Sequence, residues 1–176
     1  MKTRLIVAVA LAGLIGLMSG CVGEPTPTET TPTFSSEEEA YAAAEETYRA
    51  YVDALNQVDL SDPETFEPVF ALTTGDANAN ARKTFSEMHA NGWIVGGDSV
   101  ATVVEHAGVE SGAPALAVCL DVSSVTVTDQ SGASVVAADR GDVQSMKILT
   151  SISSSSPTGL ALDAIDAREG EPLCDG

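Results

Sequence analysis

The sequence predicts an α+β domain in which helices come first and a curved antiparallel sheet follows. Three observations predict it. Apolar residues recur at three- and four-residue spacing between Ser36 and Gly92, and beyond Trp93 they gather into β-rich runs. The clusters Ser111-Gly112, 129–132 and 153–159 are of turn-forming composition and separate those runs. Helices followed by strands, rather than alternating with them, is the order of an α+β layer arrangement.

The first element starts at Ser36, whose side-chain oxygen can cap a helix while Glu39 reaches back to the amide of the cap. This helix is expected to run to about Gln57. Tyr41, Ala44, Tyr48, Tyr51, Val52 and Leu55 fall on one stripe, with Glu45, Glu46, Arg49 and Asp53 away from it, so the helix packs by its tyrosine face. Such a stripe is either core or the lining of a pocket in which Tyr48 and Tyr51 offer hydroxyls to a ligand.

Asp62-Pro63 supplies a second cap, with proline at the first helical position, and Pro68 must bend or interrupt the short helix through Phe66 and Phe70. A third helix begins at Asp76. It carries Ala77, Ala81, Phe85 and Met88 on one face and ends at Asn91-Gly92.

Strands are expected over about 99–110, 115–128, 143–152 and 160–168, paired as antiparallel hairpins. In the second, Leu116, Val118, Leu120 and Val122 occupy even positions but Val125 and Val127 odd ones. A β-bulge near Ser123-Ser124 would switch the inward face that way.

Upstream of the domain, Lys2 and Arg4 precede the apolar run Leu5–Leu17, the layout of a secretory signal. Thirteen helical residues span about 20 Å, short of the roughly 30 Å hydrocarbon core, so removal is expected rather than a stable membrane span. The segment Leu17-Met18-Ser19-Gly20-Cys21 resembles the bacterial lipobox, departing only at Met18. That resemblance implies cleavage before Cys21 and its lipidation; an ordinary signal peptide is the alternative. Each buried methylene contributes about 0.8 kcal/mol, so two or three acyl chains anchor durably to the extracytoplasmic face of a membrane. Residues 22–34, VGEPTPTETTPTF, are too polar and proline-rich to pack and read as a linker of roughly 40 Å when extended. The expected organisation is a signal over 1–20, lipidated Cys21 with linker over 21–34, and one domain over 35–176.

Loss of residues 1–20 removes two of the eight basic residues and none of the 26 acidic ones, leaving a formal charge of −20. A surface of that sign repels phosphate backbones, and no nucleic-acid partner is expected. With Cys21 taken by lipid, Cys119 and Cys174 remain as an even pair in an oxidising compartment and are expected to form a disulfide tying the tail to the sheet; two buried thiols are the alternative.

Taken together, residues 36–170 resemble the NTF2-like (SnoaL-like) superfamily, in which helices pack into the concave face of a curved sheet to form a cone. Behind its Thr/Pro linker, with Val118-Cys119-Leu120-Asp121-Val122 and the late Cys174 as paired cysteines, the chain also looks like actinobacterial lipoproteins carrying such domains. The superfamily includes isomerases, cyclases and noncatalytic modules, so the resemblance does not choose an activity. It implies homodimerisation as one option.

Tyr48, Tyr51, Asp53, His89 and His106 are of the types an isomerase site needs, but no motif joins any pair of them, and no catalytic residue is assigned. Gly97-Asp98-Ser99 has the look of a lipolytic nucleophile block without its companion blocks. Two histidines and no Cys-x-x-Cys leave no metal or cofactor expectation. The expected role is a membrane-tethered binding or protein-interaction module of the cell envelope, with a small ligand or an envelope protein as partner. A carrier or isomerase-like enzyme using the cone interior is the second reading.

Overall fold

The computed structural model describes residues 33–174. The expected signal segment, Cys21 and the expected linker up to residue 32 lie outside the described residues. The fold is α+β, with three α-helices and antiparallel sheets among those residues. Helix α1, Glu37–Leu55, is capped at Ser36, whose Oγ accepts from the Glu39 amide at 3.1 Å. The reciprocal half of the capping box differs from expectation. Glu39 accepts from the amide of Ser35 at 2.7 Å and from its hydroxyl, because Ser35 offers one carboxylate oxygen two donors where the cap residue offers one.

After α1, Asp62 accepts from the Glu64 amide and opens a 3-10 turn, Pro63–Phe66, followed by α2, Glu67–Ala71. Pro68 sits in the first turn of α2, where its missing N–H is not needed. Helix α3, Gly75–Ala90, ends at Asn91 with Gly92 at φ +64°. The α2–α3 junction is strapped to the sheet: Thr74 donates to the Leu162 carbonyl at 2.8 Å and Leu162 donates to Leu72 at 2.9 Å.

Six strands follow: β1 Ile94–Gly96, β2 Val100–Glu110, β3 Ala113–Asp121, β4 Thr126–Thr128, β5 Val143–Ile152 and β6 Leu160–Ala167. The main sheet has the order β2-β3-β5-β6, antiparallel throughout, and β1 pairs with β4 in a second sheet. The β2–β3 hairpin turns at Ser111 and Gly112, both at positive φ (52° and 84°), as a right-twisted two-residue hairpin demands.

One strand expectation is corrected, and one strand, β1, is not among those expected. The run 115–128 is not one strand with a bulge. Strand β3 stops at Asp121, whose carboxylate accepts from the Ser123 amide at 2.8 Å. Val125 then donates to Val122, and the chain leaves one sheet to enter the other. The local side-chain hydrogen bond competes successfully with the ladder. Strand β1, the partner that β4 finds, is three residues long and carries no alternation to read.

The core lies between α1 and one face of the main sheet, where Tyr48, Leu116, Val118, Ile148 and Leu162 are fully buried. A second cluster joins Phe66, Val69 and Phe85 to Val58 and Leu60 beneath the end of α1. Strand β3 is buried on both faces, Ala113 to Leu120 without interruption. On its far face, Cys119 is bonded to Cys174, the expected disulfide. Arg168 reinforces that fold-back by donating to the carbonyls of Gly170 and Pro172, each at 2.7 Å.

Candidate functional site

The tyrosines expected to line a pocket do different work. Tyr48 is wholly buried in the core, its hydroxyl without a hydrogen-bond partner among the described residues. Burial pushes its phenol well above tyrosine's usual range, Tyr51 adds to the rise, and Arg49 opposes it. Tyr51, with its phenol also raised by burial, packs against both clusters at 6.2 Å ring separation from Tyr48.

The chain does leave a pocket, partly open to solvent, one turn further along α1. A cavity of about 190 Å³ is bounded by Leu55 at the end of α1, Val58 and Leu60 in the following loop, Phe85 and Met88 on α3, and Val95 and Val127 as a cross-strand pair of β1 and β4. Neither Tyr48 nor Tyr51 lines it. The periodicity of α1 and α3 marks Leu55, Phe85 and Met88 as inward. The odd-position pattern of Val125 and Val127 likewise marks the β4 side of the wall as inward, whereas β1, three residues long, carries no such signal.

The cavity walls are held by hydrogen bonds of their own. Asn56 Nδ2 donates to the Ser99 carbonyl at 2.9 Å, and the Ser99 amide donates back to Asn56 Oδ1 at 2.8 Å. Asp98 donates its amide to Ser124 Oγ at 3.2 Å, and that hydroxyl donates to the Asp98 carbonyl at 2.7 Å. Between them Gly97 adopts φ +78°, and a Cβ there would lie 2.0 Å from the Ser124 carbonyl oxygen. The Gly97-Asp98-Ser99 segment is therefore a backbone junction between β1 and β2. His89 is also structural: its Nδ1 meets the Leu60 carbonyl at 2.6 Å and holds the loop wall to α3.

The remaining candidates are not brought together. His106 lies on β2 with its ring stacked on Tyr41 at 3.8 Å and 11°. Asp53 is exposed on α1. The cavity lining contains no ionisable side chain; its polar members are Asn56, Thr84 and Ser99. Such a lining can hold a neutral molecule by contact and hydrogen bonding, and it offers no group for proton transfer. No group of three His, Cys, Asp or Glu residues able to hold a metal ion occurs among the described residues.

The fold and the cavity define an α+β domain with a small, mostly apolar chamber. No family model matches the chain, and no curated protein matches it. Among solved structures, a protein from Novosphingobium aromaticivorans, provisionally described as an aromatic ring hydroxylase, superposes with a TM-score of 0.49 at 14% identity. The overlap covers 77% of this chain and 93% of that one. An overlap of that quality assigns neither activity nor substrate.

Proposed function

We propose that this chain is a lipid-anchored, extracytoplasmic binding module of the cell envelope, built on an NTF2-like (SnoaL-like) domain. The observation that carries the binding half is the chemistry of the cavity: apolar walls, three polar side chains and no ionisable group. Catalysis by acid–base or nucleophilic steps needs at least one titratable or activated group at the reacting atoms. Support for the fold comes from three helices leading an antiparallel sheet, with α1 packed across its inner face.

Support for the location comes from the basic, apolar and small-residue order before Cys21 and from the Cys119–Cys174 bond, which suits an oxidising compartment. The proposed tether holds the domain through the Thr/Pro linker, clear of the headgroups that its acidic surface would meet with repulsion. The test is fractionation of cells expressing the full chain and its Cys21→Ser variant. The native chain is expected with membranes and the variant in the soluble extracytoplasmic fraction. Equal membrane retention of both would end the lipid-anchor reading and leave the binding reading standing on the cavity.

A further inference from the structure

We infer that the cavity at the end of α1 takes a small neutral arene bearing one hydroxyl or carbonyl, a molecule of one ring with one or two short substituents. The inference deepens the proposed function and rests on its binding half; it is independent of the lipid anchor.

Size comes first. The chamber measures about 190 Å³. An engineered apolar cavity of about 150 Å³ stays dry and binds benzene, so this one admits a single ring and little more. Persistence comes second. Cavities empty of ligand tend to collapse where their walls can move. Here the walls are fixed without a ligand's help, by the Asn56–Ser99 and Asp98–Ser124 pairs, the Gly97 backbone contact, and His89 on the Leu60 carbonyl.

Chemistry comes third. Phe85 presents a ring and Met88 a polarisable sulfur, both of which favour an aromatic neighbour over an alkyl chain. The uncharged lining gives an ionised group no partner, so it favours a neutral ligand. Ser99 borders the chamber at 8% exposure with its backbone amide and carbonyl both taken by Asn56, while its hydroxyl forms no hydrogen bond among the described residues. Ser99 also borders the open groove at Asp53 and Asp98, so the Ser99→Ala comparison decides whether its hydroxyl serves a polar atom of a ligand in the chamber.

The test uses the full chain carrying Cys21→Ser, so that neither lipid nor detergent competes, with p-cresol and toluene as probes. Methyl resonances of Met88, Leu55, Val95 and Val127 are followed by NMR. The expected result is saturable shifts at those methyls, with a p-cresol dissociation constant on the order of 0.1–1 mM. Ser99→Ala is expected to weaken p-cresol about five-fold and to leave toluene unchanged. Val95→Phe, which fills the chamber from a half-buried position, is expected to weaken both at least about ten-fold. Should Val95→Phe fail to fold, intermolecular NOEs from p-cresol to the Met88 and Val127 methyls carry the same information. Absence of saturable shifts with both probes, or shifts that Val95→Phe leaves intact, overturns the assignment. In either case a different small molecule retained in native mass spectra would keep the binding module while ending this ligand class.

Discussion

Asn56 and Ser99 exchange two hydrogen bonds across 43 residues, each through the side chain of the first and the backbone of the second. Asn56 is also the residue that ends α1, its amide donating to the Val52 carbonyl at 3.0 Å. One residue thus closes the longest described helix through its backbone and, through its side chain, ties that helix end to the residue before β2. Replacing it strands a donor and an acceptor of a buried backbone. Asn56→Leu, with the same branching and no polar atom, is expected to cost about 2–4 kcal/mol in urea unfolding. A loss under about 0.5 kcal/mol would mean that water replaces the pair without penalty.

Tyr48 makes the opposite prediction. Its ring is core, but its hydroxyl is buried without a partner among the described residues. Tyr48→Phe removes an unsatisfied polar group and keeps the ring, so its stability should match or exceed the parent's by up to about 1 kcal/mol. The raised phenol gives the sign at high pH. Its contribution is full below tyrosine's ordinary value and is lost as pH rises through the raised value, so the Phe variant should lose stability less steeply in alkali. Destabilisation of the Phe variant by more than about 1 kcal/mol would reveal a hydroxyl that is bonded in solution.

The disulfide spans 55 residues. Closing a loop of that length restricts the unfolded chain by about 4 kcal/mol on the chain-entropy account. The Cys119→Ala, Cys174→Ala double variant is expected to lose about 2–4 kcal/mol, with amide exchange rising first over 168–174. Uniform acceleration across β3 and β5 instead would show the bond holding the sheet rather than the tail.

Acid dependence should come from surface carboxylates in turns and in the first turn of α1. Asp129 is held below the usual carboxylate range by the Ser131 hydroxyl first, then by the amides of Ala133 and Ser131. Asp59, Asp121 and Glu39 are lowered by the serines that donate to them. A lowered folded value means that the contribution is full above the ordinary carboxylate range and is lost as pH falls below it, through the lowered values. Asp129→Asn keeps an acceptor and removes the titration, so the fall in urea midpoint on acidification should be shallower. An unchanged slope would assign the acid sensitivity elsewhere.

Much of the architecture was legible in local spacing. The Ser36 cap, the tyrosine stripe, the Asp62-Pro63 start and the Ser111-Gly112 turn all stand where their residues placed them, because each depends on neighbours within about four positions. The pairing of Cys119 with Cys174 was legible for a different reason: with Cys21 set aside for lipid, only two cysteines remained. The site was not legible. Tyr48 and Tyr51 carry the polar groups that draw attention, yet the chamber is bounded by ordinary apolar residues such as Leu55, Val58 and Val127.

By itself, then, the sequence determined the order of helices and strands, the caps and turns between them, and the cysteine partners, all properties of short-range geometry or simple counting. Only the tertiary structure decided that the run 115–128 divides between two sheets and that both faces of β3 are covered. It also decided that a chamber opens beside α1 rather than under its tyrosines. The physical reason is that a cavity is the space left when separate segments meet, and no single residue encodes it. Its walls come from a helix end, a loop, a second helix and a two-strand sheet, and their meeting is set by hydrogen bonds such as Asn56 to Ser99 that join positions far apart in the chain.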